Sequence, residues 1–351
     1  MLTKESEQLI DEVIQKSKKN DLLKNTHLKK LFHYFESVPF DYQKPRKKNS
    51  KGVFPSTDFM TKNLEKKSKE YNHVSSATWL VKGRFQVKCS FNIYSKTRYV
   101  SDATLNLFVY ALSFVASLSN KNRTIKVHLV LLPDKKLYKE KFTKNHINGG
   151  SCIFNDTESN VYVWRKEECI KVLFHECIHA LRFSSLDQND RLVHKYQREY
   201  NIYSSSLNID ETYTEIWAKI INCYFLSKLF RIQNPDKDNY EYFCLLLGIE
   251  REFCFQQGSK IKSFLKQHRK PFDLNKDTNV SAYYLGTAEI FQNLSHFLKM
   301  ISKNRIPFYL EEKEQFKNFL VECKSIPRRK VNTTSNVYKT FRMSATELMV
   351  T

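Results

Sequence analysis

The eight cysteines of this chain form no C-x-x-C pair and no dense cluster, which excludes a zinc knuckle and a disulfide-stapled secreted scaffold. A reducing compartment is expected. The sequence opens without an apolar h-region: MLTKESEQLIDEVIQKSKK has the pattern of a charged amphipathic helix, so export by a signal peptide is not expected. The longest uncharged stretch, 103–120, carries Asn and Ser throughout, and it reads as a buried helix capped by Ser101 or Asp102 rather than a membrane span. Internal repeats and low-complexity tracts are also lacking. Acidic charge is short, with 37 Asp and Glu against 58 Lys and Arg, for a formal net charge of +21. Such an excess attracts polyanions, nucleic acid among them. Glycine is scarce too, at 7 of 351 residues, while Lys, Asn, Ile, Phe and Tyr abound. An A/T-biased coding sequence would give that composition without any selection for polyanion binding.

What is present argues for a folded protein. Hydrophobic residues make up 41% and aromatics 14%, too much for extensive disorder, and 351 residues fit one large domain or a core with extensions. Residues 1–75 read as an accessory segment of polar helices around a basic loop punctuated by Pro45, Gly52 and Pro55. In that loop Lys44, Arg46, Lys47 and Lys48 have the composition of a nuclear import signal or of a solvated loop. From about 78 the period changes to alternation over TWLVKGRFQVKCSFNIYS, followed by β-rich runs at 124–133 and 159–165. Helical patterning then runs from near Lys166 to about 323, with breaks expected near Pro235, Gly258, Pro271 and Pro307. The fold class expected is α+β: a small mixed sheet and active-site helix over 76–182, a mostly helical subdomain over 183–325, and a tail over 326–351. In the tail, Phe341, Met343 and Leu348 are candidates to dock.

The informative segment is Val172-Leu-Phe-His175-Glu176-Cys-Ile-His179-Ala-Leu181. At 3.6 residues per turn, His175 and His179 stand one turn apart on nearly the same face and can share a metal, with Glu176 beside it. Ile170, Leu173, Phe174, Cys177, Ile178 and Leu181 supply a buried stripe, and Glu167 and Glu168 are expected in the first turn, where the helix dipole favours them. A zinc ion with two histidines needs a third protein ligand and an open position. An extended H-E-x-x-H-x-x-G-x-x-H pattern is excluded, because Arg182 stands at its Gly and Ser185 at its last His. A carboxylate is therefore expected. Glu199 has the spacing of thermolysin-like peptidases but lacks an acid four residues later; Glu211 and Glu215, in NIDETYTEIWAKIINCYF, stand one turn apart on a helix with its own apolar stripe. Glu211 is the leading candidate for the ligand, and Glu215 for accepting the free N–H of a ligating histidine. Asn208 can also cap that helix, with Glu211 reaching back to it.

An H-E-x-x-H helix followed by E-x-x-x-E on a second helix resembles the gluzincin metallopeptidases, with a gap similar to that of anthrax lethal factor. Taken with HINGGSCIF, VYVWRKEECIKVLFHECIHALRF, DETYTEIWAKIIN and the late FRMS, the chain over about 76–345 resembles zinc metallopeptidases encoded by large nucleocytoplasmic DNA viruses. The resemblance implies a zincin-like fold, Zn2+ held by His175, His179 and Glu211, general-base chemistry at Glu176, and a peptidase acting on viral or host proteins in the host cytoplasm or the virion. It also implies a tyrosine shortly before the glutamate ligand to steady the oxyanion; Tyr203 lies one register from that place, with His194 and Tyr213 as rivals. The strand at 160–164 and the Asn148-Gly149-Gly150 turn are expected to offer an edge for an extended peptide. The competing reading is a basic, polyanion-binding protein whose zinc site is not catalytic.

Overall fold

The computed structural model describes residues 2–14, 21–139, 142–203, 207–236, 238–268, 272–330 and 332–350. The N-terminal third carries α1 (Lys4–Ile14), α2 (Thr26–Ser37), β1 (Asp41–Tyr42), β2 (Lys48–Lys51) and α3 (Lys62–Ser68). Two ten-residue strands, β3 (His73–Lys82) and β4 (Gln86–Ser95), then pair as an antiparallel hairpin, so the long alternating run is two strands. The apolar helix α4 (Asp102–Ser117) follows, capped by Ser101 accepting from the Thr104 N–H, and leads into β5 (Arg123–Leu132), which lies parallel to β4. After α5 (Lys144–Ile147) come β6 (Gly150–Phe154), β7 (Glu158–Arg165) and the motif helix α6 (Cys169–Leu181). The rest is helical: α7 (Asp190–Tyr200), α8 (Ile209–Gln233), α9 (Asn239–Gln267), a wide π-type turn at Ser281–Gly286, α10 (Thr287–Gln292), α11 (Leu294–Ile301), α12 (Lys313–Glu322) and α13 (Asn336–Lys339).

The sheet is mixed and open, in the order β1-β3-β4-β5-β7-β6, with β2 also on β3. Alternation along its strands separates two faces. Trp79, Phe91, Val127, Leu129 and Val163 meet α4 and α6 in the main core, while Tyr94, Val130, Leu132 and Trp164 are covered on the other face by Phe54, Met60 and Leu64. Behind α6 lies α8, and behind α8 lies α9. Among the described residues no helix is long and apolar enough to cross a membrane.

Four expectations need correction. Residues 1–75 are not set apart: Leu28, Leu31, Phe32 and Phe35 of α2 belong to the main core, and β1 and β2 extend the sheet. The tail over 326–351 is likewise built in rather than separate: Phe341, Met343 and Leu348 dock as expected, and residues 340–347 run as a strap between the start of α6 and α9. Gly258 is no break, because α9 passes through it; a Cβ there would stand 2.9 Å from Ile326 Cδ1 and 3.1 Å from the Tyr284 carbonyl, so glycine serves close packing. Finally, α6 starts at Cys169, and Glu168 precedes it in the left-handed region at φ 58°, its carboxylate turned toward Lys136 and the strap rather than toward the helix N–H groups. The break expected at Pro271 lies outside the described residues.

Candidate metal centre

The α6 stripe buries itself against the sheet and α8, which carries both motif histidines to the rim of a cavity of about 410 Å³. Helix α8 starts at Ile209 because Asn208 caps it, its side chain accepting from the Glu211 N–H at 3.2 Å. The Glu211 carboxylate is left free to face α6. His175 Nε2 lies 3.1 Å from Glu211 Oε2, and His179 Nε2 lies 3.4 Å from the same oxygen. Among the described residues, these three form the one group of His, Cys, Asp or Glu whose ligand atoms converge, all within 4.8 Å of one another. Two imidazole nitrogens and one carboxylate oxygen are a donor set that suits zinc and leaves a coordination position open.

One turn further along α8, Glu215 Oε2 accepts the His175 Nδ1–H at 2.9 Å. That bond fixes the ring orientation and leaves Nε2 for a metal. Glu215 is fully buried between Lys171 Nζ at 3.0 Å and Lys219 Nζ at 3.2 Å. Burial works against its charge, but Lys171, Lys219 and His175 outweigh it and hold the carboxyl well below the usual range. Burial likewise opposes charge on His175, yet its hydrogen bonds to Glu211 and Glu215 raise it to about 10. Glu211 is held well below the ordinary carboxylate value by His179 and His175, again against burial. Glu176 goes the other way: burial raises it, and His175 and His179 only partly oppose that.

Several site residues were not legible in the sequence. Asp210 Oδ2 stands 3.9 Å from His179 Nδ1, held there by Ser184 Oγ and the Leu186 N–H on its other oxygen. Lys171 precedes His175 by four residues, the one-turn spacing that could have flagged it as a partner for an acid on the facing helix. Tyr283, from the π-type turn, lines the cavity with its ring centroid 5.9 Å from that of His175. Burial, and after it Glu211, pushes the Tyr283 phenol well up, so it remains a donor at neutral pH. It follows Glu211 by 72 residues in a chain with 19 tyrosines, so no local spacing announces it. Gly286 closes the same turn; a Cβ there would stand 2.8 Å from Thr212, next to Glu211.

Tyr203, the residue expected to steady the oxyanion, is not at the site, and neither are its rivals His194 and Tyr213 or the alternative ligand Glu199. Tyr203 is 66% exposed and lines no part of the cavity, because its backbone is tied to Phe272 beyond the end of α7. Tyr213 is buried in the core, its hydroxyl on the Phe308 carbonyl. His194 is exposed on α7, and Glu199 accepts from Ser325. The Gly149-Gly150 pair does flank the site, but Gly150 starts β6 with Gly149 just before it, and β6, not β7, is the edge of the sheet. A Cβ on Gly150 would meet Glu176 Cγ and Oε1 at 2.8 Å, so glycine is what lets the edge strand approach the motif. Arg182, at the position where the longer histidine motif has glycine, takes the left-handed conformation at φ 55° and ends α6.

The fold is thus a mixed α/β architecture with a mixed open sheet, and its site is a convergent His-His-Glu cluster. Comparison with protein-family models, with curated proteins and with solved structures finds no match to this chain.

Proposed function

We propose that this chain is a zinc-dependent peptidase of zincin type, similar in its motifs to those of large nucleocytoplasmic DNA viruses, with viral or host proteins in the host cytoplasm or virion as substrates. The observation that carries this reading is the convergence of His175, His179 and Glu211 in one cavity with Glu176, while Glu215 backs the first histidine. Zinc, when bound by the three ligands, supplies Lewis acidity that activates water and polarises a peptide carbonyl. Glu176, buried and raised above the usual carboxylate value, takes the proton of the attacking water and returns it to the leaving amine. Tyr283, protonated, offers its O–H to the oxygen on which charge develops. The free edge of β6 aligns an extended peptide beside Glu176 by main-chain hydrogen bonds.

Elemental analysis of protein purified without chelator tests the metal: about one zinc per chain is expected, lost in His175→Ala. Hydrolysis of a peptide library tests the chemistry, with Glu176→Gln keeping zinc and fold but losing cleavage. Tyr283→Phe should slow cleavage by about 10²- to 10³-fold, as removal of an oxyanion donor does, whereas Tyr203→Phe should leave it unchanged. Cleavage that persists in Glu176→Gln would sink the proposal.

A second reading rests on a different place, a cleft of about 500 Å³ lined by Arg84, Arg182, Arg305 and Lys313 with Glu311 as its acid. With the net charge of +21, it favours a polyanion partner such as nucleic acid. Binding that falls steeply with salt and ignores Glu176→Gln would support that reading.

A further inference from the structure

Two buried ion pairs stand behind the cavity wall, and both point the same way. Lys136 Nζ lies 2.8 Å from Glu168 Oε2, with side-chain exposures of 1% and 0%, and Lys171 pairs with Glu215. In each pair the lysine lines the cavity and the glutamate does not. The carboxylates are held back by other donors: Glu168 Oε1 accepts the N–H groups of Met343 at 2.9 Å and Ser344 at 2.6 Å, and Glu215 Oε2 accepts from His175. The lysine of each pair is therefore the member at the cavity wall.

The two lysines differ in what they have left to give. Lys171 Nζ contacts both Glu215 oxygens and Met343 Sδ. Lys136 Nζ makes one hydrogen bond, to Glu168, so two of its three N–H donors find no acceptor among the described residues. Its backbone is pinned as well, the N–H to Glu167 Oε2 at 2.5 Å and the carbonyl accepting from the Phe341 N–H at 2.6 Å. A fixed, buried ammonium with spare donors beside a cavity suits an anionic ligand group.

Distance ties this group to the motif. A Cβ on Gly149 would stand 3.7 Å from Lys136 Nζ, and one on Gly150 would stand 2.8 Å from Glu176 Oε1. Neighbouring Cβ atoms are at most about 6 Å apart, so Lys136 Nζ lies within roughly 12 Å of the Glu176 carboxylate. An extended peptide advances about 3.3 Å per residue, so the ammonium is reached within about four residues of the bond beside Glu176.

We infer that Lys136 is a carboxylate-binding, specificity-determining residue, so that the peptides this site accepts carry an acidic side chain or a free C-terminal carboxylate within about four residues of the scissile bond. The inference rests on the peptidase reading. Calorimetric affinities of the full chain for three peptides test it, each measured with chelator and again with zinc: acetyl-Ala-Glu-Ala-amide, acetyl-Ala-Gln-Ala with a free C-terminus, and acetyl-Ala-Gln-Ala-amide. One of the first two is expected to bind about tenfold tighter than the third in both conditions. Preference for the first identifies an acidic side chain as the source, and preference for the second a free C-terminus. Lys136→Met/Glu168→Gln, which leaves no unpaired charge from this pair, should bring the three affinities together, while Lys136→Arg retains the order. Equal affinities in the wild-type chain, or an order that survives in the folded double variant, overturn the inference; if the double variant does not fold, the wild-type comparison decides alone. A carboxylate preference without zinc uptake or hydrolysis would leave the pocket standing and remove the peptidase reading, and hydrolysis without the preference would do the reverse.

Discussion

The cavity has two walls made by different means. One is helical: His175, His179 and Glu211 come from α6 and α8, two segments whose periodicity and caps are written in consecutive residues. The other is assembled from 148–152, 275–279, Tyr283 and Met343, pieces far apart in the chain. In the first wall the side chains are aimed by charges buried behind them, Lys171 and Lys219 on Glu215 and Glu215 on His175. In the second they are aimed by backbone, through glycines that allow close approach and carboxylates that take strap N–H groups. The contrast separates two ways to hold a site: an ion-pair relay that fails when one member is removed, and a strap that fails when its anchor lets go.

Removing Glu215 should give the largest effect. Glu215→Ala strands Lys171 and Lys219 without their buried partner, and breaking such a pair costs about 3–5 kcal/mol. Urea denaturation should show it as a lower midpoint with an unchanged slope. Glu211→Ala, one turn away and facing the cavity, should cost only about 1 kcal/mol, since it leaves no buried lysine unpaired, yet abolish zinc uptake. Equal stability losses in the two variants would erase the difference between metal ligand and buried relay.

The placement of the histidines and of the two glutamates was legible in the sequence, whereas the lysines behind Glu215 were not. Spacing alone set His175 and His179 on one face, and the four-residue interval put Glu211 and Glu215 one turn apart, with Asn208 capping as well, so capping and metal-facing roles turned out not to compete. The sheet strands at β3, β4, β5 and β7 were legible for the same reason, because alternation is a local property. What stayed hidden depends on contacts between distant residues. Lys136 and Glu168 are 32 positions apart, Tyr283 comes from a turn with no period, and the strap, whose Phe341, Met343 and Leu348 were candidates to dock, shows no period to say where until Glu168 and Glu250 are in place to receive its N–H groups. The short edge strand β6 was hidden by Gly149 and Gly150, a pair that signals a turn even though Gly150 starts the strand.

The second wall should fail through Glu168. Its carboxyl is held down to about 2: burial raises it, but Lys136, Lys171 and Arg342 prevail. A folded-state value below that of the unfolded chain means stability that is fully present above about pH 4.5 and is lost as pH falls through about 2. The span corresponds to a loss on the order of 3 kcal/mol. Glu167, Glu176 and Glu347 are raised, chiefly by burial, and push stability the opposite way over acid pH, so the difference between wild type and Glu168→Gln isolates this group. Denaturation midpoints should lie well apart at pH 6 and converge toward pH 2. If they stay parallel, Glu168 is not the anchor of the strap.

The glycine pair sharpens the comparison further. Gly150→Ala puts a Cβ 2.7 Å from Val172 Cγ1 and 2.8 Å from Glu176, contacts that force a shift, at about 1–3 kcal/mol. Because the atom displaced belongs to Glu176, hydrolysis should fall more than stability does. Gly149→Ala meets Val172 Cγ2 at 3.3 Å and needs only a small adjustment, so its cost should stay below about 1 kcal/mol. Thermal unfolding and library cleavage on the same two variants check both statements.

A small and local effect is expected where the two pieces of the second wall touch. Thr278 Oγ1 donates to Asn148 Oδ1 at 2.6 Å, which joins the 275–279 segment to the start of the edge strand. Thr278→Val keeps the shape and removes the donor, leaving Asn148 short of a partner on a side chain that water can reach, so the loss should be about 0.5–1.5 kcal/mol. It should also be local, because neither residue belongs to the ion-pair relay behind α6. Hydrogen exchange should quicken at 275–279 and 148–150 while α6 and α8 keep their protection. Faster exchange in α6 as well would mean that the two walls open together, and that the strap and the relay form one cooperative unit.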